Sequence, residues 1–161
     1  MKLITISIPV FNEEDNIDNL LNEINIIASE LDKYKFEFLF TDNSSVDSTY
    51  EKLLEHAKID NRVKIIRFSR NVGFQKSILL NYQNSSGDAV IQIDADLQDS
   101  PQLISNFVSL WEDGYDVVYG IRTKRNEGWV LNFMRRFFYR VLNMISEYPI
   151  PVDAGDFRLL D

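Results

Sequence analysis

The stretch Asp88-Ala89-Val90-Ile91-Gln92-Ile93-Asp94-Ala95-Asp96-Leu97-Gln98-Asp99 combines a short apolar run with closely spaced carboxylates. Residues 89–93 are apolar except for Gln92, which is typical of a central strand of a parallel sheet buried on both faces. The strand leads directly into Asp94 and Asp96. Because ligands of open α/β sheets bind beyond the carboxyl ends of the strands, we expect a ligand site here. A solvated acidic turn is the alternative.

The spacing of Asp94 and Asp96 predicts a site for a divalent cation. Two carboxylates one residue apart can face the same point once the chain leaves the pleated strand. Mg²⁺ and Mn²⁺ prefer oxygen ligands, and Mg²⁺ often shares its coordination shell with substrate phosphates. We therefore expect Mg²⁺ or Mn²⁺ to bind at this strand end together with a phosphate-bearing ligand.

Predicted strands and helices alternate on both sides of this stretch. We predict strands over residues 3–10, 36–41, 63–68, 89–93 and 117–119, and helices over residues 12–31, 49–57, 74–82 and 101–111. Asn12 is the expected N-cap of the first helix, because acidic residues follow it. The alternation predicts an α/β fold with a mainly parallel central sheet flanked by helices. No linker or repeat divides the chain, so we expect a single domain over residues 1–161.

The composition excludes several kinds of chemistry. The chain is 45% hydrophobic and 12% aromatic, as expected of a globular domain with a core. It contains no cysteine, which excludes disulfides, thiolate nucleophiles and cysteine-ligated metals. The single histidine, His56, lies in a predicted helix, which disfavours histidine-based triads and zinc sites. The net charge of −8 argues against nucleic acid as a partner.

Basic residues are concentrated between Ile121 and Ser146, where Arg and Lys clearly outnumber the one acidic residue, Glu127. This asymmetry indicates a local anionic partner, either phosphates or a membrane surface. The predicted helix over residues 129–146 has an aromatic and aliphatic stripe with arginines beside it, so it either packs on the sheet or lies at a membrane interface. No signal peptide or membrane span is visible. We expect a soluble fragment that stops before C-terminal membrane segments.

Six blocks of the sequence together resemble one family. They are Ser7-Ile8-Pro9-Val10-Phe11-Asn12-Glu13-Glu14, Thr41-Asp42-Asn43-Ser44-Ser45-Val46-Asp47-Ser48-Thr49, Arg67-Phe68-Ser69-Arg70-Asn71-Val72-Gly73-Phe74-Gln75-Lys76, Asp94-Ala95-Asp96-Leu97-Gln98-Asp99-Ser100-Pro101, Gly120-Ile121-Arg122 and Asp153-Ala154-Gly155-Asp156-Phe157-Arg158. The chain resembles the family 2 glycosyltransferases of GT-A fold. Within them it is similar to polyprenyl-phosphate glycosyltransferases such as dolichyl-phosphate mannose synthase and bacterial undecaprenyl-phosphate glucosyltransferases.

The resemblance implies roles for individual residues. Pro9 and Glu13 would line the nucleotide pocket, and Asp42 would hydrogen-bond the base. Asp94 and Asp96 would hold the metal on the diphosphate. The other implied site residues are Gln98 as a further metal ligand, Arg122 and Asp156 as catalytic residues, and Asn43, Arg70, Gln75, Lys76, Arg125, Asp153 and Arg158 as substrate-binding residues.

Three of these roles have alternatives. The family usually has two aspartates and a glycine where this chain has Asp42-Asn43-Ser44, so the contact made by Asn43 and the choice of nucleotide stay open. The basic Arg122 and Arg125 can share the charge on a leaving diphosphate, or lie in a solvated loop. Asp156 matches the proposed acceptor-side carboxylate, and a structural salt bridge to Arg158 is its alternative.

The function implied is inverting transfer of a hexose from a nucleotide sugar to a polyprenyl phosphate at the cytoplasmic membrane face. A UDP-sugar is favoured and a GDP-sugar is possible, and a homo-oligomer is possible. A polysaccharide or protein hydroxyl is the alternative acceptor.

A metal-dependent phosphohydrolase is an alternative of another class, although its Asp-x-Asp motif would normally follow the first strand. A non-catalytic nucleotide-binding module is a third reading. A dinucleotide oxidoreductase is disfavoured because no Gly-x-Gly-x-x-Gly follows the first strand.

Overall fold

The computed structural model describes residues 1–121 and 154–161. Its elements are β1 (Leu3–Val10), α1 (Ile17–Glu30), β2 (Lys35–Asp42), α2 (Thr49–Ile59), β3 (Val63–Arg67), α3 (Phe74–Asn84), β4 (Ala89–Gln92), α4 (Leu103–Glu112), β5 (Val117–Ile121) and β6 (Ala154–Leu160). Residues 1–118 and 156–161 form one compact unit, and residues 119–155 form a second. The predicted helix over residues 129–146, together with Arg122, Arg125 and Asp153, lies outside the described residues.

The six strands form one sheet in the order β3-β2-β1-β4-β6-β5. β1 pairs in parallel with β2 and with β4, and β2 pairs in parallel with β3. The predicted α/β fold with a mainly parallel sheet is therefore confirmed. β6 is an addition that the sequence analysis did not predict. It runs antiparallel to β4, with Gln92 opposite Arg158.

The two faces of the sheet differ in chemistry. Successive side chains of a strand point to opposite faces, so Ile4, Ile6 and Ile8 of β1 share one face, while Thr5 and Ser7 share the other. The isoleucine face belongs to the main apolar core. That core also contains Ile17, Leu20, Leu21, Ile24, Phe36, Phe38, Phe40, Ile91, Ile104, Phe107, Trp111, Phe157 and Leu159.

Polar side chains are buried on the opposite face, where α3 packs against β1 and β2. The Ser7 hydroxyl donates a hydrogen bond of 2.6 Å to Gln92 Oε1 on the neighbouring strand. The Thr41 hydroxyl of β2 donates to Asn81 Oδ1 of α3. Because Ser7, Thr41, Asn81 and Gln92 have no solvent exposure, hydrogen bonding replaces much of the apolar contact that usually holds a helix on a sheet.

The segment between β1 and α1 corrects one expectation. Asn12 is not an N-cap, because α1 begins at Ile17. Asn12 has a positive φ of 56°, and its Oδ1 accepts a bond of 2.9 Å from the Val46 N–H in the loop after β2. Its side chain therefore joins two loops and caps no helix. Within the two described ranges, no helix has both the length and the apolar character that crossing a membrane requires.

Candidate functional site

A cleft of about 360 Å³ lies at the carboxyl ends of β1, β2 and β4. It is lined by Pro9, Val10, Phe11, Glu13, Asn43, Asn71, Phe74, Ser77, Asp94, Ala95 and Asp96. All of these residues belong to the same compact unit. Parallel strands deliver their carboxyl ends to one edge of the sheet, which is where open α/β sheets bind ligands. The cleft brings together five predicted residues, namely Pro9, Glu13, Asn43, Asp94 and Asp96.

The carboxylates of the cleft lie where the chain leaves β4. Asp94 is half-buried and Asp96 is exposed. Asp96 Oδ1 accepts a bond of 3.0 Å from the Gln98 N–H, and Leu97 between them has a positive φ of 57°. This tight turn places Asp96 beside the cleft and leaves the Gln98 side chain exposed, next to a neighbouring groove.

The side chains at this corner fit a hard divalent cation that binds together with a phosphate ligand. Among residues 1–121 and 154–161, no three His, Cys, Asp or Glu side chains cluster as a complete protein metal site. Mg²⁺ commonly binds through one or two carboxylates and completes its shell with water and substrate phosphates. Asp94 and Asp96 provide that partial set. Gln98 as a third ligand stays a prediction.

Hydrogen bonds between two loops fix the position of Glu13. The Asn12 N–H donates to Ser45 Oγ at 2.9 Å, and the Glu13 N–H donates to Thr49 Oγ1 at 2.8 Å. The Glu13 carboxylate accepts a bond of 2.7 Å from Asn16 Nδ2. The loop after β1 is thereby attached to the loop after β2, so the wall of the cleft that contains Glu13 is held in place before any ligand arrives.

Asp42 stabilises the loop after β2 from inside. It is fully buried, and its Oδ1 accepts a bond of 2.9 Å from the Ser45 N–H. Arg67 Nε lies 3.0 Å from the other carboxylate oxygen, and the Arg67 guanidinium lies 4.0 Å from the centre of the Tyr50 ring. Asp42 is not among the residues that line the cleft. Its predicted hydrogen bond to a nucleotide base stays a prediction.

Asn43 lines the cleft next to Asn71, which the sequence analysis did not single out. Asn43 Nδ2 donates to Asn71 Oδ1 at 3.0 Å, and Asn43 Oδ1 accepts a bond of 2.8 Å from the Val72 N–H. The pair joins the loop after β2 to the turn before α3. The sequence signals for Asn71 were its position before Gly73 at a strand-to-helix turn and its place in one of the six blocks that carry the family resemblance.

Two phenylalanines that the sequence analysis also left unassigned line the cleft. Phe11 is 44% exposed and Phe74 is 41% exposed. A partly exposed aromatic ring at a concave site offers a flat apolar surface on which a planar group can stack. Ser77, one turn into α3, also lines the cleft, so the N-terminus of α3 borders the same space as Asp94. The partial positive charge of a helix N-terminus favours a negatively charged ligand there.

Asp156 and Arg158 of β6 form an ion pair, with Arg158 Nη2 2.9 Å from Asp156 Oδ1. The observed ladder ends at Gln92 opposite Arg158, and extending it by two residues puts Asp156 opposite Asp94. Asp156 therefore lies toward the same end of the sheet as Asp94. Burial raises the pKa of Tyr82 on α3, while the charge of Arg158 lowers it and the charge of Asp156 raises it.

Three of the predicted substrate-binding residues lie beside the cleft without lining it. Arg70 is exposed in the turn after β3, and Gln75 and Lys76 are exposed in the first turn of α3. Their roles stay predictions, as do those of Arg122, Arg125 and Asp153, which are outside the described residues.

The chain belongs to glycosyl transferase family 2. The sequence model of that family, "Glycosyl transferase family 2", matches residues 5–161. An "uncharacterized glycosyltransferase" of Bacillus subtilis, YkcC, is 42% identical over 98% of this chain and 49% of its own length. The bactoprenol glucosyl transferase of Shigella phage SfV is 34% identical over 98% of this chain and 51% of its own length. The resemblance to polyprenyl-phosphate glycosyltransferases is thereby confirmed. The chain spans about half the length of these curated relatives.

A solved structure confirms the expected GT-A fold. The mannosyltransferase PcManGT from Pyrobaculum calidifontis, solved in complex with GDP-Man and Mn²⁺, superposes with a TM-score of 0.67 at 22% identity. The superposition covers 99% of this chain and 44% of that one. Because the two sequences are only 22% identical, this similarity is evidence for the fold alone.

Proposed function

We propose that this chain forms the nucleotide-sugar site of an inverting glycosyltransferase that transfers a hexose to a polyprenyl phosphate. The observation that carries the proposal is the convergence of Asp94 and Asp96 with exposed aromatic rings in one cleft. Membership of glycosyl transferase family 2 and the similarity to the bactoprenol glucosyl transferase support it. The reaction takes place at the cytoplasmic face of the membrane, with residues 129–146 at the membrane surface. A homo-oligomer remains compatible with this proposal.

The nucleotide diphosphate is the ligand that the cleft fits best. Phe11 and Phe74 offer surfaces for the base. Asp94 and Asp96 would hold Mg²⁺ or Mn²⁺, which, when bound, stabilises the negative charge on the leaving diphosphate. The N-terminus of α3 adds a favourable potential for the phosphates. A UDP-sugar is the favoured substrate and a GDP-sugar the alternative.

The acceptor determines what Asp156 does. A phosphate monoester has its second pKa at about 6, so a polyprenyl phosphate is mostly ionised near neutral pH and needs little help from a base. It attacks the sugar on the face opposite the diphosphate, which inverts the configuration. Asp156, held by Arg158 toward the same end of the sheet as Asp94, then orients groups around the sugar. With a hydroxyl acceptor, Asp156 would instead have to remove a proton.

The test is calorimetric titration of UDP and of GDP, each with and without Mn²⁺, into the wild type and Asp96→Asn. We expect one nucleotide to bind only with metal, and Asp96→Asn to weaken that binding at least about tenfold, as is usual for disturbed metal sites. Asp32→Asn is the matched control, because Asp32 is exposed in the turn after α1, away from the cleft. Binding that ignores both Mn²⁺ and Asp96, or no binding of either nucleotide, would contradict the proposal.

A further inference from the structure

The amides of Asn43 and Asn71 have a fixed orientation in the cleft. Oxygen and nitrogen of an Asn side chain are normally distinguished only through their hydrogen-bond partners. Here both partners are backbone N–H groups, which can only donate. The Val72 N–H points to Asn43 Oδ1 at 2.8 Å, and the Gly73 N–H points to Asn71 Oδ1 at 2.9 Å. The NH₂ group of each side chain is therefore identified independently of any ligand.

Most of the remaining hydrogen-bonding capacity of the pair is donor capacity. Asn71 Oδ1 accepts from both the Gly73 N–H and Asn43 Nδ2, which uses its two lone pairs. Asn43 Oδ1 accepts one bond and Asn43 Nδ2 gives one. One N–H of Asn43 and both N–H groups of Asn71 remain for a ligand, against a single lone pair on Asn43 Oδ1. Asn43 is 5% exposed, and both residues line the cleft.

We propose that the Asn43–Asn71 pair lets the nucleotide site accept cytosine as well as uracil, by offering mainly N–H groups to the acceptor atoms of the base. The inference rests on the proposed function, since it concerns the nucleotide that the same cleft binds. The partly exposed rings of Phe11 and Phe74 provide the surface against which a base in this position stacks.

A carboxylate at position 43 would read the base differently. Uracil offers an N3–H and two carbonyl oxygens, whereas cytosine offers the N3 lone pair, one carbonyl oxygen and an NH₂ group. A carboxylate that faces the N3 position accepts from the uracil N3–H and repels the cytosine N3 lone pair, so in that position it discriminates between the two bases. An NH₂ group bonds the cytosine N3 and the carbonyl oxygens of either base. The pair in this chain therefore tolerates cytosine as well as uracil.

The same geometry explains why Asn43 and Asn71 act together. Because the Gly73 N–H holds Asn71 Oδ1 in place, a carboxylate at position 43 would put an acceptor oxygen about 3 Å from another acceptor. Asn71 would have to turn and leave the Gly73 N–H without its bond. The amide at position 43 avoids this conflict, and the substitution Asn43→Asp introduces it together with the change in base reading.

The experiment measures UDP and CDP affinity by calorimetry with Mn²⁺ for wild type, Asn43→Asp and Asn61→Asp. We expect the wild-type affinities to differ by less than about tenfold, and Asn43→Asp to increase the preference for UDP at least about tenfold through weaker CDP binding. Asn61→Asp is the matched control, because Asn61 is exposed in the turn before β3 at the opposite edge of the sheet. It should leave both affinities unchanged.

A second variant, Asn71→Ser, covers the case in which Asn43→Asp does not fold, which a thermal melt would reveal. Serine keeps an oxygen for the Gly73 N–H and removes the NH₂ group, so we expect both nucleotides to bind about fivefold more weakly for one lost hydrogen bond. If UDP binds and neither variant changes the affinities in these ways, the inference is wrong while the proposed function stands. The inference is also wrong, and the proposed function still stands, if the wild type excludes CDP or binds only GDP. If no nucleotide binds the wild type, the proposed function fails, and the inference fails with it.

Discussion

Asp42 has a structural role in the loop after β2 that its position in the sequence does not reveal. Its carboxylate accepts a hydrogen bond from the Ser45 N–H three residues further along the chain, and Ser44 between them has a positive φ of 66°. Arg67 pairs with the same buried group while remaining 38% exposed itself. The bonds of Asp42 therefore hold the backbone from which Asn43 reaches the cleft.

We predict that Asp42→Ala destabilises the fold by about 1–3 kcal/mol, because it leaves a buried N–H of Ser45 and the Arg67 guanidinium without their partner. Asp42→Asn should cost less, since its amide oxygen can still accept from Ser45. Urea denaturation of both variants measures the difference. Should Asp42→Ala unfold at the wild-type midpoint yet lose nucleotide binding, a direct contact to the base would be the better explanation.

At the scale of residues, the sequence predicted the part of the site that depends on local spacing. Asp94 and Asp96 were predictable because both come directly after the same strand in the sequence, and both line the cleft. The bond between Asn43 and Asn71 was not, because it joins residues 28 apart in the chain. The burial of Asp42 was equally hidden, since a polar loop sequence does not show which side chain turns inward.

At the scale of elements, periodicity and turn signals placed the parallel strands and their helices close to their observed bounds, except that the first helix begins at Ile17 and not after Asn12. β6 escaped prediction because its seven residues, Ala154-Gly155-Asp156-Phe157-Arg158-Leu159-Leu160, mix charge, glycine and apolar residues. Its pairing with neighbouring strands, β4 among them, makes it a strand. In the structure the side chains of β6 alternate between the two faces of the sheet, and Phe157 and Leu159 are buried on the core side.

We predict that Phe157→Ala costs about 3–5 kcal/mol, the usual penalty for emptying a buried aromatic site. Phe157 is 3% exposed, and its ring centre lies 4.7 Å from that of Phe107 on α4. Leu160→Ala is the control, because Leu160 is half-buried on the other face of β6 and should cost clearly less. Chemical denaturation compares the two. Equal, small losses would mean that β6 contributes little to the core.

Across the whole of the larger compact unit, the two faces of the sheet are held by different forces. α1 buries Ile17, Leu20, Leu21, Ile24, Ile27 and Ala28, whereas α3 buries only Ser77, Ile78 and Asn81. Apolar burial stabilises by about 25 cal/mol per Å², while each hydrogen bond contributes a net 0.5–1.5 kcal/mol. The attachment of α3 is therefore the weaker of the two, and α3 is the helix whose residues Phe74 and Ser77 line the cleft.

Hydrogen exchange should reveal this difference. We predict that amides in the middle of α3 exchange at least about tenfold faster than those of α1, because local opening of α3 exposes less apolar surface. UDP with Mn²⁺ should slow exchange in α3 and leave α1 unchanged, since α3 contributes residues to the cleft wall and α1 contributes none. Mass spectrometry of peptides from residues 17–30 and 74–84 measures both effects. Equal exchange rates in α1 and α3 would contradict the prediction that α3 is the more weakly attached helix.

The contrast between the faces also bears on how this protein can diversify. Substitutions among the isoleucines and phenylalanines of the core disturb packing everywhere at once, so a library directed there would mostly recover unfolded variants. Substitutions in the turn before α3, where Asn71 lines the cleft, change a polar partner beside the cleft and leave the buried layer intact. A screen for altered sugar or nucleotide preference should therefore randomise that turn, where new specificities can be sampled while the apolar face of the sheet keeps the molecule folded.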